Sequence, residues 1–186
     1  SALQLEDQLA PKRCGHMAGK AVIPVAEMVG KIRAALDARA GAHTLLIART
    51  DALGVNGLED ALERAERYLE AGADALFIEA PRDRQQMQVI SERFAGRIPL
   101  VHNLVEGGNS PLPDADNLQA LGYRVALYPA ALLHSFTPQA QRVLEVIRRD
   151  GSTDAIREDM HELADMTRLL GAEKLLADGR RYHTGG

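Results

Sequence analysis

Five short apolar runs, each ending in polar residues and separated by helical patterns, constrain the fold of this chain most strongly. The runs cover residues 2–5, 44–48, 75–78, 98–101 and 124–128, and helices are predicted over 25–39, 58–69, 84–94 and 114–121. Strands alternating with helices at a spacing of roughly 25 residues indicate right-handed βαβ units in a parallel sheet. From residue 130 onwards the apolar pattern is helical only. The sequence therefore predicts an α/β fold.

The polar ends of the strands favour one parallel architecture over another. A doubly wound sheet draws its site from one switch point, whereas a (β/α)8 TIM barrel draws it from many strand ends. Every strand here ends in a polar candidate, and the first is not followed by a glycine-rich dinucleotide fingerprint. A barrel needs eight strands and about 250 residues. The 186 residues are therefore predicted to hold strands 4–8 of a barrel over 1–150 and a C-terminal helical extension over 151–186.

Composition bears on the partners and the compartment. The formal charge is −4 with mixed signs along the chain, so no basic stripe is available to follow a nucleic-acid backbone. No apolar run approaches the roughly 20 residues of a membrane span. The single cysteine has no internal disulfide partner, which suits a reducing compartment. We therefore expect a cytoplasmic protein that binds neither nucleic acid nor membrane.

The first strand runs into the most reactive segment of the sequence. Glu6 and Asp7 end this strand, and their hard oxygens suit Mg²⁺, although a helix cap or a surface acid is an alternative for such a pair. Cys14 follows in a polar loop beside Gly15, so we do not expect it in an apolar core. Three cationic side chains that would stabilise a thiolate flank it: Lys12, Arg13 and His16.

Three later strands also end in candidate site residues. Arg49 could bind a substrate carboxylate with two hydrogen bonds, or it could pair with Asp51 and be structural. Glu79 follows a wholly apolar strand, which favours an inward-facing side chain. Asn103 could hydrogen-bond a carboxylate or shape the turn. Because the carboxyl ends of parallel strands share one rim, we expect these side chains to lie near Glu6 and the Cys14 loop.

Six segments resemble, in order and in rough spacing, the isocitrate lyase and phosphoenolpyruvate mutase superfamily: 6–8, 12–16, 19–20, 48–52, 79–81 and 103–108. The resemblance covers nearly the whole chain and is nearest to the group of 2-methylisocitrate lyase, dimethylmalate lyase and carboxyphosphonoenolpyruvate mutase. It implies a Mg²⁺-dependent (β/α)8 lyase whose small carboxylate substrate binds the metal beneath a closing loop. It also implies a homodimer or homotetramer with an exchanged C-terminal helix.

The same resemblance implies a role for each matching residue. Glu6 would be a metal-site carboxylate, acting directly or through water, and the remaining metal carboxylates would lie upstream of Ser1. Cys14 would be the acid/base of carbon–carbon cleavage. Four further residues would be catalytic, namely Lys12, Arg13, His16 and Glu79, and three would bind substrate, namely Gly15, Arg49 and Asn103.

The predicted reaction is cleavage of a 2-hydroxy di- or tricarboxylate, of the alkylmalate or methylisocitrate type, to an α-keto acid and a second carboxylic acid. Two other reactions remain open as alternatives, oxaloacetate decarboxylation and a phosphonate mutase reaction. A non-catalytic homologue that acts as an assembly module is the alternative from another class.

Overall fold

The computed structural model describes residues 1–15, 17–39, 41, 43–107, 111 and 114–182. His16, and Gly108 at the end of the segment 103–108, therefore lie outside the described residues. The strands are β1 Ala2–Glu6, β2 Leu45–Thr50, β3 Ala75–Ile78, β4 Val101–Asn103 and β5 Val125–Leu127. The helices are α1 Val25–Ala38, α2 Ala52–Val55, α3 Leu58–Glu70, α4 Arg84–Phe94, α5 Ala115–Ala120, α6 Ala131–Asp150, α7 Leu163–Leu169 and α8 Ala172–Tyr182. A 3₁₀ helix, Asp154–Asp159, lies between α6 and α7.

All named strand pairs are parallel, as the alternating pattern predicts. β1, β2 and β3 form one sheet in that order, and β4 and β5 form a second. A parallel bridge from Leu76 to Leu100 links β3 to the residue before β4. Glu6 pairs with Arg49 in the register of β1 and β2. The α/β class is thus confirmed, and consecutive strands deliver their carboxyl ends to the same side.

The fourth strand begins later than its apolar run predicts. The run starts at Ile98, but the N–H of Ile98 donates to the carbonyl oxygen of Phe94 at the end of α4. Pro99 has no N–H to give to a ladder, and its carbonyl accepts from Leu76. The predicted start of the strand at Ile98 is therefore wrong: pairing with β3 reaches Leu100, and β4 itself is Val101–Asn103.

Helix α3 shows how the pattern of apolar residues positions a helix on the sheet. Gly57, with φ of 99°, precedes it, and acidic residues in its first turn favour its N-terminus. Ala61, Ala65 and Tyr68 lie on one face and are fully buried in the main core. Arg64 is also among the buried residues of this helix. A buried arginine is rare unless other groups pair with its charge. Those partners belong to the candidate site.

The chain divides into two compact units, Ser1–Leu132 and Leu133–Gly186. The first unit holds all five strands and the main core. In the second, Val146 and Ile156 are buried, and Arg142 pairs with Asp159 at 2.7 Å. The predicted division at residue 150 stays a prediction. No helix within the described residues has the length and apolarity that a membrane crossing requires.

Candidate active site

Asp7, at the end of β1, is the centre of a buried hydrogen-bond network. Its carboxylate accepts from the hydroxyls of Thr50 at 2.7 Å and Tyr68 at 2.8 Å, and from the N–H of Asp51 at 3.0 Å. Arg64 Nη1 lies 3.4 Å away. Burial, and then the charge of Asp7, raise the pKa of Tyr68 and keep its hydroxyl a donor. Both oxygens of Asp7 thus accept hydrogen bonds from the protein, and its role as a metal-site acid stays a prediction.

Glu6 has a different environment from its neighbour. Its side chain is largely buried, and Oε2 accepts from Lys12 Nζ at 2.6 Å. Oε1 is buried, has no hydrogen-bond partner among the described residues, and lies 3.8 Å from Arg49 Nε. A buried carboxylate oxygen that lacks a hydrogen bond is costly, and a cation would satisfy it. Glu6 therefore has one oxygen available for a metal or its water.

Arg49, near the end of β2, pairs with Asp51. Arg49 Nε donates to Asp51 Oδ2 at 2.9 Å and Nη2 to Oδ1 at 3.4 Å. Burial alone would lower the pKa of Arg49, but the hydrogen bond to Asp51 and the charges of Glu79, Asp51 and Glu6 raise it. The structural pairing that the sequence left open is thus present, and it fixes a permanently charged guanidinium at the rim.

Glu79 connects three strand ends. It is 1% exposed, as its apolar strand predicts. Its Oε2 lies 3.5 Å from Arg49 Nη2 and accepts from Asn103 Nδ2 at 3.1 Å. A Cβ atom built on Gly15 would lie 2.6 Å from Arg49 Nη2 and 2.7 Å from Glu79 Oε1. The backbone of the loop therefore packs directly on these two side chains, at a position where a side chain does not fit.

The remaining loop residues lie further out. Cys14, Lys12 and Arg13 are exposed, and Lys12 reaches back to Glu6. Of the predicted site residues, Gly15, Glu79 and Asn103 line a cavity of about 260 Å³. The lining also includes Lys20 and Arg82, but neither Cys14 nor Arg49 is among the described residues on its wall. The loop thus presents its glycine to the cavity and its thiol to solvent.

Comparison with known proteins shows which family the chain resembles. Residues 1–148 match the family described as phosphoenolpyruvate phosphomutase. The chain belongs to this family. It is 39% identical to 2,3-dimethylmalate lyase of Eubacterium barkeri over 185 residues, which cover all of this chain and 63% of that protein. It is 42% identical to 2-methylisocitrate lyase of Salmonella typhimurium over 154 residues, which cover 82% of this chain and 51% of that protein.

Solved structures of the phosphoenolpyruvate phosphomutase family share the fold. A crystal structure of 2,3-dimethylmalate lyase, described as a PEP mutase/isocitrate lyase superfamily member, superposes with a TM-score of 0.89 at 32% identity. The match covers 98% of this chain and 60% of that one. The predicted superfamily is therefore confirmed. The chain spans between about half and two thirds of the length of these relatives.

Another matching solved structure is phosphonopyruvate hydrolase in complex with oxalate and Mg²⁺. It matches with a TM-score of 0.79 at 28% identity over 97% of this chain and 62% of that one. Within the described part of this chain, no cluster of three or more His, Cys, Asp or Glu could hold a metal ion. Glu6 Oε1 is the carboxylate oxygen that fits such an ion. Mg²⁺ usually takes one or two protein carboxylates and keeps several waters, so the residues fit a supporting role.

The sequence did not predict that two polar residues of the site, Asp51 and Lys20, are buried and paired with each other. Asp51 is fully buried and pairs with Lys20 Nζ at 3.1 Å and with Arg49 Nε at 2.9 Å. The side chain of Lys20 is only 5% exposed. Lys20 lies in the segment 19–20 that supports the resemblance, and it immediately precedes the short apolar run 21–23. That position was the one signal of a buried lysine.

Proposed function

We propose that the protein is a Mg²⁺-dependent carbon–carbon lyase that cleaves a 2-hydroxy di- or tricarboxylate, of the alkylmalate or methylisocitrate type, to an α-keto acid and a second carboxylic acid. The observation that carries the proposal is the contact of Gly15 with Arg49 and Glu79, beside Asn103, on a cavity wall. The likeness to two proteins named as lyases of such substrates supports the proposed reaction.

The proposal extends to the architecture. The five strands would be strands 4–8 of a (β/α)8 barrel over residues 1–150, followed by the helical extension 151–186. Parallel pairing of every named strand pair and the similarity to the dimethylmalate lyase structure support this assignment. A homodimer or homotetramer with an exchanged C-terminal helix, and a cytoplasmic location, belong to the same proposal.

Substrate recognition would depend on Arg49 and Asn103. The guanidinium of Arg49 is fixed by Asp51 and Glu79, so it provides a pre-oriented positive charge for a substrate carboxylate. The amide nitrogen of Asn103 donates to Glu79, so the side-chain oxygen of Asn103 is the atom that would accept a hydrogen bond from substrate. Mg²⁺, when bound with the help of Glu6, supplies Lewis-acid stabilisation of the substrate oxygens.

Cleavage would require one proton to leave and one to arrive. The substrate hydroxyl loses its proton to a base, for which the cavity-lining carboxylate of Glu79 is our candidate. The new carbonyl forms as the carbon–carbon bond breaks. The electron pair of the broken bond stays on the carbon next to the second carboxylate. Cys14 Sγ–H then protonates this carbanion, the exposed thiolate regains a proton from solvent, and Glu79 releases the proton that it took. The loop cations Lys12 and Arg13 stabilise the negative charge that develops meanwhile.

The test is an assay of α-keto acid release by the full-length protein with Mg²⁺ and a panel of alkylmalates and 2-methylisocitrate. We expect one α-keto acid per substrate cleaved, and at least a hundredfold loss of kcat in Cys14→Ser, because general acids contribute about 10²–10⁴-fold. Circular dichroism and oxalate binding show whether the variant remains folded and competent to bind. Unchanged turnover in Cys14→Ser would remove the thiol from the reaction.

The alternatives give different products in the same assay. Oxaloacetate decarboxylation releases CO₂ from oxaloacetate, and a phosphonate mutase forms or consumes a phosphorus–carbon bond. We expect neither reaction to depend on Cys14. Absence of turnover with every substrate, together with a stable oligomer, would favour the non-catalytic assembly module.

A further inference from the structure

The loop that carries Cys14, residues 9–21, is closed at its base by the backbone. Leu9 N donates to the carbonyl of Ala21 at 2.9 Å, and Gln8 and Val22 form an antiparallel bridge. The side chain of Gln8 then holds the first half of the loop, since its amide nitrogen donates to Arg13 O at 2.8 Å and its oxygen accepts from Arg13 N at 2.9 Å. The start of the loop is therefore attached to the end of β1.

Lys20 holds the middle of the same loop from the inside. Its Nζ donates to the carbonyl oxygen of Gly15 and to Asp51 Oδ1, the latter at 3.1 Å. A Cβ atom on Gly54 would lie 3.3 Å from Nζ, so a glycine there leaves room for the ammonium. A buried ammonium is stable only when it is paired and hydrogen-bonded, which makes both acceptors part of one arrangement.

Asp51 connects Lys20 to Arg49, the proposed substrate-binding arginine. Oδ1 of Asp51 accepts from both Lys20 and Arg49, and Oδ2 accepts from Arg49 Nε. Gly15, the other acceptor of Lys20, packs on Arg49 and Glu79. Lys20 therefore links the loop to the carboxylate that orients Arg49, while Arg49 keeps its own bond to Asp51 and its contact with Glu79.

We propose that Lys20 is a positioning residue that sets the Cys14 loop against Arg49 and Glu79 by bridging Gly15 and Asp51. The expected change in kcat rests on the proposed lyase function, whereas the expected opening of the loop does not. Lys20 acts through its two acceptors, so its loss displaces the general acid from the substrate while the substrate contacts of Arg49 and Asn103 remain. The predicted effect is on kcat more than on KM.

The experiment compares three variants of the full-length protein. Lys20→Met removes the ammonium and keeps the length of the side chain, and Lys20→Arg restores a cation. Lys31→Met is the matched control, since Lys31 pairs with Glu27 on the exposed face of α1. The first readout is the rate of tryptic cleavage after Lys12 and Arg13, followed by mass spectrometry, because cleavage requires local opening of the loop.

We expect loop cleavage about tenfold faster in Lys20→Met, which is the size of one lost charge-assisted hydrogen bond. Lys20→Arg should recover part of the protection, and Lys31→Met should match the unmodified protein. In the lyase assay, kcat of Lys20→Met should fall at least tenfold with KM within about threefold, again with partial rescue by arginine. Thermal unfolding by circular dichroism verifies that each variant is folded.

Two results would overturn the inference. Loop cleavage at the control rate in folded Lys20→Met would show that Lys20 does not hold the loop. A raised KM with unchanged kcat would show that Lys20 binds substrate directly. The proteolysis readout requires no turnover, so faster loop cleavage in a protein that cleaves none of the substrates would reject the proposed function and retain the role of Lys20.

Discussion

Replacing Gly15 by alanine tests how closely the loop must approach the strand ends. The added Cβ would lie 2.6 Å from Arg49 Nη2 and from Glu79 Cγ, whereas ordinary contacts begin at 3.4 Å. Neither side chain yields easily, because Arg49 is held by Asp51 at 2.9 Å and Glu79 is 1% exposed. The loop must therefore retreat by about 0.8 Å to restore a normal contact distance.

A shift of this size displaces the neighbouring Cys14 as well. A misplacement of about 1 Å costs about a hundredfold in rate, so we expect kcat/KM of Gly15→Ala to fall by roughly that factor. Overpacking should also reduce the free energy of unfolding by about 1–3 kcal/mol. Steady-state release of α-keto acid measures the first effect, and urea unfolding measures the second.

The matched control is Gly96→Ala, because a Cβ at Gly96 would meet nothing within 4 Å. This variant should keep kcat/KM within about twofold of the unmodified protein, in keeping with the small effect of surface changes. If folded Gly15→Ala retained full kcat/KM, the packing of the loop on Arg49 and Glu79 would be irrelevant to turnover. The account of the site would then be wrong.

Three further predictions concern stability and the metal. Asp7→Ala leaves the hydroxyls of Thr50 and Tyr68 without their acceptor and removes one of the charges beside the buried Arg64, so urea unfolding should show a loss of about 3 kcal/mol; a loss below about 1 kcal/mol would contradict the network. Burial raises the pKa of Asp51, but hydrogen bonds and charges from Arg49 and then Lys20 outweigh it and lower the pKa. In the unfolded chain the Asp51 carboxyl takes up a proton near pH 3.9, and in the folded protein it does so only at lower pH. The stabilisation by Asp51 is therefore complete above that pH and is lost as the pH falls further. Urea unfolding between pH 3 and 6 should show a smaller acid loss in Asp51→Asn, and an unchanged loss would refute the assignment. Chelation by EDTA should abolish turnover and added Mg²⁺ restore it, whereas turnover in EDTA would contradict the proposed metal.

The elements that burial controls directly were predictable from the sequence. Ala75–Ile78 is buried on both faces, which gives a continuous apolar run with the bounds of β3. Helix α2, Ala52–Val55, is too short for a helical period to be seen. The start of β4 was mispredicted because hydrogen bonding at Ile98, not hydrophobicity, decides it.

The site was predictable in its residues but not in its pairings. Parallel strands bring their ends to one rim, so Arg49, Glu79 and Asn103 could be named from their positions alone. Glu6 ends β1 and Asp7 follows it. Among the described residues, Glu6 Oε1 has no hydrogen-bond partner, whereas both oxygens of Asp7 accept hydrogen bonds. The tyrosine that satisfies Asp7 is 61 residues away on α3, and no local pattern encodes such a contact.

The central claim is that the strand-end residues and the Cys14 loop together cleave a carbon–carbon bond and protonate the resulting carbanion. Its most direct test is NMR analysis of products formed by the full-length protein from 2-methylisocitrate or an alkylmalate in D₂O with Mg²⁺. The account predicts equal amounts of an α-keto acid and a second carboxylic acid that carries one deuterium at its α-carbon. Release of CO₂ in place of the second acid, or intact substrate after prolonged incubation, would contradict it.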